Sequence, residues 1–428
     1  MSIHGSNDVQ TKQPGFASRV APALHSLRPQ RAGVAYALLL LVVVLAITTA
    51  VKGQPAYLST VNVSNILYQS APDAILAVFM TVVLISGNFD LSVASVAALA
   101  AALALTTIDS IGTVAAVLVA LAVGAVVGLI NALLVQKIGV NAFIVTLGTM
   151  TAVRGVVLIV LNGESVTPHS EALVSLDSTI LKVPAAVAFG FGILLLVLAF
   201  VRFRQLRDSQ SPPLDGFFVA LICLALSGPI IAIIAPALLT EPLPVWLMLW
   251  VTVGVSIALR FLVAGRNLYA VGSNAEAARL SGININLYKM VPFVLSGLAS
   301  AFVGLLYAGQ FNSVDPNALT GTELTVIAAA IVGGTSLFGG AGYVAKSVLG
   351  TLVLFTLSNG FNVLNLGSNY QYVVQGVVLI AASAVYMIAA KSPKRRNAHR
   401  HDHETPGPSA PAGSDRQPEA AQPALDVS

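Results

Sequence analysis

Long apolar runs separated by short polar breaks dominate the chain. Twelve runs have the length or character of a membrane span: 33–51, 71–86, 91–107, 112–135, 141–161, 183–201, 216–239, 245–263, 290–308, 324–337, 343–360 and 370–390. A helix rises 1.5 Å per residue, so about 20 apolar residues cross a hydrocarbon core roughly 30 Å thick. The pattern predicts an all-α integral membrane protein with about 12 transmembrane helices. The runs at 71–86 and 324–337 are short, which suits broken or half-buried helices beside a transport path. Segment 61–70 reads as an interfacial helix or an extracytoplasmic loop. A signal peptide has a shorter apolar core and a small-residue cleavage site, so 33–51 reads as a retained first span.

Composition narrows the class. Of 428 residues, 56% are hydrophobic and 9% charged, where soluble domains carry roughly 25% charged residues. Mean hydropathy is +0.84. A soluble enzyme, a disordered chain and a nucleic-acid module are all excluded. The net charge of +4 is then an orientation signal. With the N-terminus inside, nineteen of the 22 basic residues fall on the inner side. Lys52 and Lys182 fall in outer loops, and Arg154 lies within a span. Both termini are therefore expected in the cytoplasm. The organisation that follows is an N-terminal arm (1–32), a transmembrane domain (33–390) and a tail (391–428). The tail is rich in Pro, Ala, Ser, Asp and Glu and is expected to be disordered. Its His399, His401 and His403 read as solvated residues rather than a metal site. The single cysteine, Cys223, lies in an apolar run and reads as a small buried hydrophobe.

The chain lacks the chemistry of an enzyme or a nucleotide site. Gly340-Ala-Gly-Tyr-Val-Ala-Lys346-Ser347 comes nearest to a phosphate-binding loop, but Ala345 stands where the motif needs glycine. Titratable residues at membrane depth, which ion coupling requires, are few. Asp73 and Glu323 lie near expected span starts, where carboxylates favour helix N-termini. Thr320-x-x-Glu323 fits a capping box, and Asp90 is placed to cap the third span. Arg154 is either a structural, snorkelling charge or part of a path. Gly124-x-x-x-Gly128 reads as a helix-packing motif.

The inner loop 264–289 is unusual. Ser273-x-x-Glu276 fits a capping box, 275–281 is rich in alanine, and Gly282 suits the left-handed position past a helix end. These signals predict a short cytoplasmic helix able to dock into a cleft on a soluble partner.

Glu276-Ala277-Ala278, three residues and then Gly282 resemble the EAA loop of bacterial ABC-importer permeases. Further segments are similar to the monosaccharide, ribose/xylose-type branch. They are Gly265-Arg266-Asn267 with Tyr269-Ala270-Val271-Gly272, Ala278 to Ile283, and Gly321-Thr322-Glu323-Leu324. Gly333-Gly334-Thr335-Ser336-Leu337-Phe338-Gly339-Gly340, Asp90-Leu91-Ser92-Val93 and Asn359-Gly360-Phe361-Asn362 complete the set. Two positions depart from the family: Asn88 and Ala94 stand where it usually has glycine. Segment 183–239 is an extra helix pair added to a ten-span core, as in the xylose-type permeases.

The resemblance implies a permease subunit of an importer for a monosaccharide, xylose or a similar pentose, in the bacterial inner membrane. Glu276, Ala277, Ala278, Arg279 and Gly282 would couple it to an ATPase. The implied partners are two ATP-binding subunits, an extracytoplasmic sugar-binding protein and a second permease copy, with the lipid bilayer and no nucleic acid. ATP and Mg would sit on the partner ATPase, with no cofactor in this chain. Polar and aromatic residues in spans, Asn131, Asn359, Phe361, Asn362 and Gln375, are candidates for the sugar path, with Phe338 and Phe89 as aromatic neighbours. The alternative reading is an ion-coupled secondary sugar transporter.

Overall fold

The computed structural model describes residues 29–208 and 216–366, with Val373, Gly376, Val377 and Ile380. The expected span at 370–390, Gln375, the tail 391–428 and residues 1–28 of the arm lie outside the described residues. So does the Cys223 side chain.

The described chain is helical. Its elements are α1 (Pro29–Val51), α2 (Thr60–Ile85), α3 (Val93–Ile111), α4 (Thr113–Leu133) with a π turn (Leu134–Ile138), α5 (Ala142–Val160) and α6 (Ala172–Asp177). Then come β1 (Ile180–Lys182), α7 (Ala185–Asp208), α8 (Gly216–Ile234), a 3-10 turn (Pro236–Leu239) and β2 (Thr240–Pro242). The last are α9 (Leu243–Phe261), α10 (Val263–Ser273), α11 (Ala275–Leu280), α12 (Ile285–Phe311), α13 (Thr322–Val332) and α14 (Val344–Val363). Among the described residues, eight helices are long and apolar enough to cross a membrane: α1, α2, α3, α4 with its π turn, α5, α9, α12 and α14. Short α13 answers to the weak run at 324–337. It stops at Gly333, and Gly334 (φ +84°) turns the chain away.

The other weak run is a different case. Segment 61–70 is not a separate interfacial helix or loop but the first part of α2, which runs unbroken for 26 residues. Ser59 caps it, its Oγ accepting from the Asn62 amide at 3.3 Å. Pro72 lies inside without ending it, as membrane helices allow when neighbours satisfy the freed carbonyl. Asp73 therefore lies in mid-helix, not at a helix start.

α2 is the hub. It packs against α9, α12, α13 and α14, and its residues from Ser70 onward are almost all buried. A second apolar cluster joins α3, α4, α5 and α12. On the outside the usual pattern inverts: Leu40 on α1 and Ile159 on α5 are 66% and 75% exposed, as suits a surface solvated by lipid tails. Helices α7 and α8 pack extensively on each other, and among the described residues they share few contacts with the rest. Their outer ends are tied by the antiparallel β1–β2 pair, with Leu181 opposite Glu241.

Helices α4 and α12 cross with their backbones touching. A Cβ on Gly124 would lie 2.4 Å from the Gly297 carbonyl oxygen, and one on Gly128 would lie 2.5 Å from that of Phe293. Small residues are what permit such approach in a membrane, where packing replaces the hydrophobic drive. Gly124→Val is expected to cost about 1–3 kcal/mol through overpacking and to lower the thermal melting temperature in detergent. Gly148→Ala on α5, with open space around it, should leave it unchanged.

Candidate functional site

The short helix predicted in the inner loop is present as α11. Its N-cap is Asn274, whose Oδ1 accepts from the Ala277 amide at 3.0 Å. The expected box on Ser273 does not form: the cap lies one residue on, and Ala277 at the third helical position cannot complete a box. The Ser273 hydroxyl instead donates to the Tyr269 carbonyl (2.8 Å) and reaches the Gly340 carbonyl (3.4 Å). Glu276 pairs with Arg279 at 2.6 Å, both exposed, so this pair contributes little to stability and leaves a charged surface for a partner. Ala278 is buried beneath it. The helix ends as predicted: Gly282 has φ +79°, its amide donates to Arg279, and the Ile283 amide donates to Ala278. That is the paired closure of a Schellman motif.

α10 locks this helix to the hub. Its last turn carries Gly272, where a Cβ would lie 1.7 Å from the Ile85 carbonyl oxygen and 2.8 Å from the Gly340 nitrogen. The Gly340 amide donates to that same Ile85 carbonyl at 2.9 Å. A Cβ on Gly339 would meet the Gly272 carbonyl at 2.7 Å and Gly87 at 2.9 Å. Three segments distant in sequence, the end of α2, the end of α10 and the loop 333–343, therefore meet through bare backbone. The Tyr269 hydroxyl adds a bond to the Gly342 carbonyl at 2.8 Å. The glycine-rich stretch before Lys346 is part of this junction. Just above it, Thr81 of α2 donates to Ser347 of α14 at 2.6 Å, with Thr335 beside them.

Asp90 does not cap α3 directly. Its Oδ1 accepts from the Ser92 amide (3.0 Å) and hydroxyl (2.6 Å), closing a turn one residue ahead of the helix. Ser92 in turn accepts from Asn131 (3.0 Å), and Asn131 accepts from Thr149 (2.6 Å). Asn131 is fully buried and bonded at both ends, a strut between α4, α5 and the α2–α3 loop. The two departures from the family are accommodated. Neither Asn88 nor Ala94 has a positive φ, and the Asn88 amide group donates to Ser86 at 3.0 Å.

At the opposite end of the helices, Asn359 forms two reciprocal amide bonds with Asn62 of α2, at 2.9 and 3.1 Å. Phe361 is half-buried nearby and Asn362 is exposed at the end of α14. A cleft of about 270 Å³ opens beside them, lined by Gln54, Tyr57, Ser59, Asn62 and Asn365 among others. In the loops at the other end of α2, Phe338 is exposed and Phe89 packs against the core. Arg154 takes the structural role: its guanidinium donates to the Pro316 and Ala318 carbonyls (3.2 and 2.8 Å). Glu323 stands in the first turn of α13, but Thr320 does not cap that helix. Its N-cap is Gly321, and the Thr320 hydroxyl donates to Asn317.

Two buried carboxyl groups hold the outer layer against α2. The Tyr68 hydroxyl donates to Asp177, and that of Ser64 donates to Glu241 at 2.6 Å. Burial pushes both carboxyl groups above their ordinary range, and these hydrogen bonds oppose the shift. Among the described residues no cluster of metal-ligating side chains occurs.

The arrangement suits a transport subunit, and comparison with known proteins agrees. The family described as branched-chain amino acid transport system / permease component matches residues 62–383. The xylose transport system permease protein of Escherichia coli K12 is 36% identical over 355 residues, covering 80% of this chain and 88% of that protein. The ribose import permease protein of the same strain is 33% identical over 349 residues, covering 81% and 92%. The Haemophilus influenzae xylose transport system permease protein is 32% identical over 360 residues, covering 81% and 94%. No solved structure matches.

Two outcomes are expected. Gly272→Ala forces Ile85, Gly272 and Gly340 apart, so it should abolish transport while the protein still folds and reaches the membrane; transport at the wild-type rate would show that the junction is not needed. A carboxyl raised by burial binds its proton more tightly in the folded state, so its contribution is greatest at low pH. It is lost as pH rises from the ordinary carboxylate range through the raised value. The melting temperature should therefore fall more with rising pH in the wild type than in Asp177→Asn/Glu241→Gln, measured by a thermal shift series.

Proposed function

The chain belongs to the permease-component family of transport systems, and from that premise we propose that it is the membrane-spanning subunit of an ATP-binding-cassette importer for a monosaccharide. It is a multi-pass membrane transport subunit and not an enzyme. The pentose xylose, or a sugar close to it, is the favoured cargo, because two of the relatives named above are xylose permeases and the chain carries an inserted helix pair. The proposed assembly sits in the inner membrane with two copies of the chain, two ATP-binding subunits that hold ATP and Mg, and an extracytoplasmic sugar-binding protein.

The observation that carries this reading is the rigid link from α11 to α2. Closure of the partner subunits would push α11, whose charged pair Glu276–Arg279 faces outward. α10 precedes it in the chain with only Asn274 between them, and Gly272 at its end abuts the Ile85 carbonyl. A displacement of α11 therefore reaches α2 without an intervening flexible side chain. α2 is packed on four other helices, so its motion rearranges the core and alternates access to the path.

Residue 282 tests the link. A Cβ there meets nothing within 4 Å, so only the left-handed backbone is at stake. That conformation costs a β-branched residue about 1–2 kcal/mol, and asparagine less. With the ATP-binding subunits reconstituted, Gly282→Val is expected to hydrolyse ATP without importing sugar, and Gly282→Asn to retain import. Wild-type coupling in Gly282→Val would remove α11 from the mechanism.

A further inference from the structure

The part of α2 that the hydropathy pattern missed carries a polar stripe. Asn62, Asn65, Gln69 and Asp73 are spaced three, four and four residues apart. At 100° per residue they fall within an arc of about 80° and span about 16 Å of helix. Asn62 is tied to Asn359. Asn65 and Gln69 are exposed and Asp73 is half-buried, and no hydrogen bond or ion pair reaches the side chains of these three. On the same face one and two turns further in, Leu76 and Met80 are 1% and 0% exposed. The stripe thus leads from the outer cleft beside Asn62 to a floor near the middle of the span.

Such a face cannot lie against lipid. An unpaired carboxylate at the bilayer centre costs at least about 2.5–3.5 kcal/mol, so intramembrane charges face cavities or partners. The apolar sides of α1 and α5 already supply a lipid-facing surface. The chemistry of the stripe is that of a polyhydroxyl binder. Two amides offer donors and acceptors, and a carboxylate can accept from two neighbouring hydroxyls. We propose that Asn65, Gln69 and Asp73 line the outer half of the translocation path, with Asp73 receiving the hydroxyl groups of a neutral sugar. This rests on the importer reading and adds the residues that touch the cargo.

The single cysteine makes the test direct. In a Cys223→Ala background, Gln69→Cys and Asn65→Cys should react with a charged methanethiosulfonate added from outside, while Leu39→Cys on the lipid-facing side of α1 should not. In the reconstituted complex, Asp73→Ala should cut sugar uptake at least tenfold with the ATP-binding subunits still bound. Both results are required. Unreactive cysteines at 65 and 69, or unchanged uptake in Asp73→Ala, overturn the proposal. Spontaneous disulfide formation between two copies through Gln69→Cys would overturn it in favour of a subunit interface. Absence of sugar uptake by the wild-type complex would instead sink the importer reading, and the labelling result does not depend on it.

Discussion

Backbone meets backbone at the inner end of α2, and the rest of the structure depends on that contact. The Ile85 carbonyl accepts from Gly340 and faces Gly272 across a gap that leaves no room for a side chain. A junction of this kind has no rotamers to absorb strain, so a displacement on one side appears on the other. It is also where the short helix α11, the hub helix α2 and the turn between α13 and α14 share a support. Movement between discrete packings, rather than continuous bending, is what close-packed interiors permit.

Several polar groups inside the protein tie helices together: Asn131 bonds Ser92 and Thr149, Thr81 bonds Ser347, and Arg154 bonds two carbonyls. An unpaired polar group in an apolar medium is costly. In the proposal above, a mobile ligand supplies hydrogen-bond partners to Asn65, Gln69 and Asp73 of α2. In the proposed mechanism the two ends of α2 do different work: the end at Ile85 takes the mechanical input and the half that carries Asn62 meets the cargo.

Much of this was legible in the sequence, and the rest was hidden for physical reasons. Runs such as 33–51 or 290–308 are apolar throughout, so their helices followed from hydropathy. α2 was cut short because Asn62, Asn65 and Gln69 dilute its outer half, although their spacing is helical and could have revealed one continuous amphipathic face. The end of α11 was readable because glycine suits φ +79° at Gly282 best. Its start was misplaced by one residue because Ser273 and Asn274 are both good caps, and only backbone angles choose between them. Thr320 misled in the same way, since the left-handed Gly321 opens α13. The meeting of Gly87, Gly272 and Gly339 was beyond sequence reasoning: each glycine alone is ordinary, and their contact exists only in three dimensions. Gln375 lies outside the described residues, and Asn359, Phe361 and Asn362 cluster at one end of α14, near Asn62.

The central claim is that force from a partner's ATP hydrolysis, passed through α11 to α2, drives sugar through this chain. The most direct measurement is uptake of labelled xylose into proteoliposomes holding the chain with its ATP-binding subunits and binding protein, with proton and sodium gradients collapsed by ionophores. The account predicts uptake that persists without gradients and stops without ATP. Uptake by the chain alone, driven by an ion gradient and indifferent to ATP, would contradict it.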